Sequence, residues 1–413
     1  MSQTAKWIPA LALVVAASAW ISFTPLMFGA YPAYIGPGDY PIDAAQAVSA
    51  LANGEVGDFL SLRPVMGPFS IILRAPFAAL GDGQQLGEYR WGSFACVLAA
   101  GLLGLYLARI ARRLGSTGFV QVVIVAACLF NPLTFAALDS GHPEEILTAS
   151  LAVGAVAVAS QGHAARAALL LGLALASKQW AVIAVFPVLM ALPDRRLRAA
   201  LGAAAVALVL TLPGFLVDPG GFLASQRNAA STHSFVDPWS VWYPIAGSVP
   251  GVVAAGSDGV ITGEPFEGGS EFLGRYAHSL IVLTAIALPL ALAVRRRGFE
   301  LSGADAMALL ALLALLRSAL DPVNNVTYHE PLLLALVGWD ALENRGPPVR
   351  ALAGAALALL FWRLWLQNPD PAAFNAAYIA VVVPLGLAIA RSLLRPGARK
   401  ISFSGIRAKA STA

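Results

Sequence analysis

His163–Leu192 reads HAARAALLLGLALASKQWAVIAVFPVLMAL. As one helix it is long enough to cross a ~30 Å hydrocarbon layer. It would then leave Arg166 on one side of the membrane and the cluster Arg195, Arg196 and Arg198 on the other. Basic residues collect on the cytoplasmic side, so a single crossing sets the two ends at odds. Folded as a hairpin of two short helices with Lys178 at the apex, the stretch returns both basic ends to one side. Each arm of ~14 residues rises only ~21 Å. Lys178 then lies below the far lipid surface, where a charge persists only against protein or water.

The chain around this stretch has the same character. Of 413 residues, 58% are hydrophobic and 12% charged, and the mean hydropathy is +0.71. A soluble domain carries about 25% charged residues, so a soluble core is excluded. Lipid leaves backbone groups no water, so the spans are helices. Candidate spans cover 7–29, 91–110, 119–137, 144–160, 164–177, 179–192, 199–217, 276–294, 304–320, 327–342, 351–366 and 373–392. The predicted fold is an all-α polytopic membrane protein of about twelve transmembrane helices. The run from Trp7 is too long for a signal-peptide core and reads as a retained first helix. Residues 41–53 suit a helix lying in the interface. Residues 67–80 are apolar but broken by Arg74 and Pro76. Both are expected as outer juxtamembrane helices in the first loop.

With the N-terminus inside, most of the 27 basic residues fall on inner loops and most of the 23 acidic residues on outer ones. One membrane domain is expected over 1–393, with outer loops at 30–90 and 218–275 and both termini cytoplasmic. The basic, polar tail 394–413 is expected to be disordered. The excess of Arg over Lys and the abundance of Ala suit a GC-rich bacterial genome, hence a bacterial plasma membrane. Cys96 and Cys128 lie in apolar segments and read as small buried hydrophobes. No Walker motif, zinc spacing or nucleic-acid signature occurs, so ATP-driven transport and a nucleic-acid partner are not expected.

Four outer motifs concentrate the polar residues. In GPGDYPIDAAQ (36–46), Asp39 and Asp43 are four apart and share a helix face. Asp39 could cap that helix or serve as a general base. In LDSGHPEE (138–145), Asp139 or Ser140 could cap the next span, and the dipole favours Glu144 and Glu145 in its first turn. His142 is left over, suited to a phosphate or hydroxyl in a polar cavity. In ASKQWAV (176–182), Lys178 either snorkels to the interface or meets a phosphate as a point charge. In RSALDPVNNVTYHEP (317–331), Arg317, Asp321, Asn325, Tyr328 and His329 crowd a short turn, and Pro331 signals a helix start.

These motifs resemble the GT-C membrane glycosyltransferases, and within them glycosyltransferase family 87. GDYPIDAAQAVSALANG resembles the family's D-x-x-x-Y and Ala-rich helix, with Asp43 where Tyr is usual, so either Asp39 or Asp43 could be the base. GHPEEILTASLAV resembles its G-Q-x-n stretch, with His142 in place of Gln. The Lys178 segment resembles its G-x-a-x-x-x-K-x-x-P block. The likeness covers about the first 200 residues by motif and the rest by architecture. It implies an inverting, single-displacement transferase using a polyprenyl-phosphate sugar, typically mannose, at the outer face. The acceptor would be a lipid-linked glycan or another envelope glycoconjugate. Asp39 and His329 are the implied catalytic residues. Asp43, Arg63, His142, Glu144, Lys178, Arg317, Asp321, Asn325 and Tyr328 are the implied substrate-binding residues. No cofactor is implied, and the outer acids are compatible with a divalent metal without demanding one. The competing class is a secondary transporter or lipid flippase with a broken-helix site, and a structural subunit stands third.

Overall fold

In the computed structural model, the chain is described over residues 7–24, 38–62, 64, 66–230, 236–246, 254–255, 261–262, 270–343, 345–367 and 369–394. Arg63 and the tail beyond Leu394 lie outside the described residues. Apart from a two-residue antiparallel pairing of Ala254–Ala255 with Ile261–Thr262, the regular structure of the described residues is helical. The apolar α1 (Ile8–Phe23) comes first. Four short helices follow: α2 (Tyr40–Asp43), α3 (Ala45–Ala52), α4 (Val56–Ser61) and α5 (Pro68–Ala78). The body begins with α6 (Gln85–Arg113), α7 (Gly118–Leu129), α8 (Pro132–Asp139) and α9 (Pro143–Ala159). It continues with α10 (Ala164–Leu175), α11 (Val185–Ala191), α12 (Arg196–Val217), α13 (Pro219–Ala230) and α14 (Ser270–Arg296). It closes with α15 (Gly303–Leu320), α16 (Glu330–Glu343), α17 (Val349–Trp365) and α18 (Pro371–Leu394).

Among the described residues, six helical stretches are long and apolar enough to cross a membrane: Gln85–Arg113, Gly118–Asp139, Arg196–Val217, Tyr276–Arg296, Gly303–Leu320 and Pro371–Leu394. Helix stands at each of the twelve expected stretches, but the others are shorter, from 7 residues in α11 to 17 in α9 and α17. The shortening has local causes. Pro132 holds Asn131 extended and divides the expected 119–137 helix, and the Asn131 side chain accepts from the Thr134 N–H at 2.9 Å to start α8.

The centre of the body is α9, α15 and α16. Every residue of α9 but Leu151 is buried, as is every residue of α16 up to Leu342. At the periphery, α12 has only 6% of its apolar window buried, with Leu197, Leu201 and Val209 facing outward. Apolar surface on that scale fits lipid rather than water. Cys96 and Cys128 are buried and unpaired.

His163–Leu192 is a hairpin. Helix α10 stops at Leu175, Lys178 is extended (φ −148, ψ 139), and a 3-10 turn over Gln179–Ala184 leads into α11. The two ends come back together, because a Cβ on Gly162 would lie 3.8 Å from Pro193. Breaking the helix frees carbonyls at its apex, and the start of α5 satisfies them. The Gly67 N–H donates to Ser177 O at 2.8 Å and the Phe69 N–H to Ala176 O at 3.0 Å. This approach needs a glycine, since a Cβ on Gly67 would fall 2.2 Å from the Ala176 carbonyl oxygen. Gly67→Ala is therefore expected to destabilise the protein by about 1–3 kcal/mol. Thermal unfolding in detergent measures it, and an unchanged midpoint would contradict the docking.

Candidate active site

The α2–α5 segment, the turn before α9 and the apex of the hairpin meet at one cluster. Asp39 is held there by backbone. Its N–H donates to Ser140 O at 3.0 Å, and Gly38 permits the approach with φ +48 and no side chain against Ser140. Asp39 is the residue before α2 but makes no side-chain cap bond. Its carboxylate instead meets His142 Nε2 at 3.2 Å and remains 64% exposed. Asp43 faces the same way: donor atoms of Asp39, Asp43 and His142 lie within 4.8 Å of one another.

The residue before α9 is His142, not Asp139 or Ser140, because Asp139 ends α8 and Ser140 caps that helix's C-terminus. The two glutamates of the first turn of α9 point into protein, as they must on a helix buried on nearly all sides. Glu144 has no exposed surface. His142 Nδ1 reaches its Oε1 at 3.1 Å, Lys178 Nζ the same oxygen at 3.1 Å, and Arg74 Nη1 its Oε2 at 3.6 Å. Lys178 Nζ is also 3.5 Å from Glu145 Oε1, which Arg317 Nη2 approaches at 3.9 Å. The Arg317 guanidinium stacks on Tyr328 at 4.0 Å and donates to the Tyr328 carbonyl at 3.2 Å. Thus Asp39, Asp43, His142, Glu144, Lys178, Arg317 and Tyr328, read separately along the chain, belong to one connected set.

Electrostatics follow from the pairing. Burial alone would lower the His142 pKa, but its hydrogen bonds with Asp39 and Glu144 outweigh that and raise it to about 9. Both ring nitrogens then donate to carboxylates, and His142 is an imidazolium. Burial raises the Asp43 carboxyl above its ordinary range, with His142 opposing. Asp39, Asp43 and His142 are also the described residues spaced to hold a metal ion. Such an ion would have to displace the His142 proton and break its pair with Asp39.

His329, Asp321 and Asn325 do not join this set. His329 Nε2 meets the Tyr378 hydroxyl at 2.9 Å and its Nδ1 faces Val326 O at 3.3 Å. Asp321 accepts from the Val323 N–H and pairs with His278 at 3.5 Å. Asn325 accepts from the Thr327 N–H at 2.9 Å, closing the turn. Part of the segment between α13 and α14 docks beside them. Trp239, 4% exposed, sits among Phe361, Trp365, Phe374 and Tyr378. Asn324 Nδ2 holds its carbonyl at 2.7 Å.

Arg74 and Glu145 are members of the set that motif reading passes over. Arg74 reads as an interruption in an apolar stretch, and Glu145 as a dipole-favoured helix start. The available signal for Arg74 was its cost: a fully apolar neighbourhood sustains an arginine only beside a countercharge. In the structure Arg74 is completely buried, stacked on Tyr40 at 4.9 Å.

The sequence profile of glycosyltransferase family 87 matches residues 66–320. The chain belongs to glycosyltransferase family 87. That match runs from just before α5 through the His142 turn and the hairpin to the end of α15, so the matched region includes Arg74, Glu144, Lys178 and Arg317. The protein is a multi-pass membrane glycosyltransferase. It is also similar to the crystal structure of ArnT from Cupriavidus metallidurans in the apo state. That likeness has 18% identity and a TM-score of 0.45 over 96% of this chain and 73% of that one. No curated protein sequence matches the chain.

Removing Lys178 leaves two buried glutamates short of a countercharge, so Lys178→Met is expected to destabilise the fold by about 3–5 kcal/mol. Adding Glu144→Gln should recover part of that loss, and additive losses in a double-mutant cycle of denaturant unfolding would reject the coupling. His142 gives a pH signature. Its folded pKa of about 9 lies above the unfolded 6.5. The stabilisation is complete below about pH 6.5 and lost as pH rises through 9. The gap in unfolding midpoint between wild type and His142→Gln should shrink over that window, and a constant gap would refute the imidazolium.

Proposed function

We propose that this family 87 enzyme is an inverting transferase that moves a sugar, mannose in the first instance, from a polyprenyl-phosphate donor to a lipid-linked or envelope glycan. The reaction is placed at the outer face of a bacterial plasma membrane, in a single domain over residues 1–393 with twelve crossings and both termini cytoplasmic. The observation that carries the reading is the pair Asp39–His142, an exposed carboxylate held by a buried imidazolium at 3.2 Å beside Lys178.

Asp39 is assigned as the base. It is the more exposed of the two candidate aspartates, whereas Asp43 is half-buried and its carboxyl is harder to ionise. Its carboxylate takes the proton of an acceptor hydroxyl as that oxygen bonds the anomeric carbon. The bond from the anomeric carbon to the phosphate oxygen breaks, and polyprenyl phosphate leaves with the electron pair. One displacement inverts the anomeric centre. Lys178 is assigned to the phosphate. An ammonium has three donors; Glu144 and Glu145 occupy two, and the third is left for an anion. Developing charge on the leaving phosphate strengthens that interaction in the transition state. His329, with both ring nitrogens engaged, is assigned to support the Trp239 pocket.

Asp39→Asn is expected to lower transfer from a polyprenyl-phosphate mannose donor by about 10²–10⁴-fold while the protein still folds in membranes. Asp43→Asn should retain most of its turnover. Full activity in the Asp39 variant, or the larger loss in the Asp43 variant, would overturn the base assignment.

A further inference from the structure

The ridge formed by α2 and α3 has two sides. Asp39 and Asp43, four residues apart, face His142. Pro41 and Ala45, also four apart and offset by half a helical turn, line a separate open cleft of about 650 Å³ on the other side. That volume is in the range of small-ligand sites, roughly 300–1,000 Å³. Its chemistry differs from that of the cationic cluster. Glu55, Asp58 and Glu88 contribute carboxylates, Gln46 and Gln85 amides, and Ser49 a hydroxyl.

Glu88 points to a ligand. It sits in the first turn of α6 and is only 6% exposed. Its single hydrogen bond among the described residues comes from Ser49 Oγ at a long 3.4 Å. A buried carboxylate normally accepts several hydrogen bonds, so most of its accepting capacity is open to whatever enters the cleft. A carboxylate and amides set around a polar hollow accept from and donate to sugar hydroxyls, which are donors and acceptors at once. Three acids in one cleft repel a phosphate, so the anionic donor is directed away from it and toward Lys178. A neutral, hydroxyl-rich chain meets no such barrier.

We propose that this cleft binds the uncharged glycan of the acceptor and presents a hydroxyl across the α2–α3 ridge to Asp39. The inference rests on the transferase reading above and adds to it the place and chemical class of acceptor recognition. A helix with its side chains is ~10–12 Å across, so an acceptor seated in the cleft reaches the base by crossing one helix width.

The test uses the full-length enzyme in detergent or liposomes, with polyprenyl-phosphate mannose as donor and a neutral mannosylated glycolipid as acceptor. Glu55 and Asp58 are both exposed, so the double variant Glu55→Gln/Asp58→Asn is expected to fold. It should raise the acceptor KM at least tenfold while the donor KM changes less than twofold. An unchanged acceptor KM, or a rise in the donor KM instead, overturns the proposal and leaves the transferase reading standing. Absence of transfer by the wild type counts against the transferase reading itself. Binding then decides about the cleft: mannotetraose should bind the wild type at least tenfold more tightly than the double variant by calorimetry. Equal binding to both, or binding to neither, overturns it.

Discussion

Glu144 is a carboxylate taken wholly out of water, and three side chains from three separate segments converge on it. Arg74 comes from α5, His142 from the turn before α9, and Lys178 from the broken hairpin. A lone buried charge is not tolerated in such surroundings, and neither is any one of the cations without it. The segments are therefore fixed relative to one another by a requirement for neutrality, not only by apolar packing, which between lipid-exposed helices has little directional power. Asp39 is placed by the same requirement one step removed, through His142. Glu145 extends it to α15 through Arg317.

This arrangement explains why the site residues carry such different exposure. The groups that hold charge in place, Arg74, Glu144 and Glu145, are buried. The group assigned to meet substrate, Asp39, is open. Rigid buried support behind an exposed reactive group is how a catalytic geometry is kept without immobilising solvent around it.

Much of the architecture was legible in the chain because lipid imposes one rule on every span. Helix stands wherever an apolar stretch was marked, and the hairpin at Lys178 follows from the two basic ends alone. Lys178 stood out because a charge is costly in an apolar setting, and His142 because helix capping left it over; Asp39 stood out by its place in a polar turn. What the chain did not display was partnership. The split at Asn131 depends on a capping bond as well as on Pro132. Helix length was equally hidden: among the described residues six stretches reach crossing length, and local breaks shorten the rest. His329 looked like a member of the polar set, yet its partner is Tyr378, 49 positions away and set in another helix. Arg74 looked like an interruption because its countercharge, Glu144, lies 70 positions on in sequence (144 − 74). Local pattern records which residues are out of place, while the fold alone records which of them neutralise each other.

The pairing of Lys178 also bears on biosynthesis. Both of its carboxylate partners, Glu144 and Glu145, precede it in the chain, and a growing polypeptide emerges from its N-terminus onward. By the time the hairpin leaves the ribosome, the turn before α9 and the α5 helix bearing Arg74 already exist to receive it. The ammonium need never enter lipid alone. Arg317, which completes the set around Glu145, is made last, so the early half of the protein can assemble as a neutral unit before the late helices close over it.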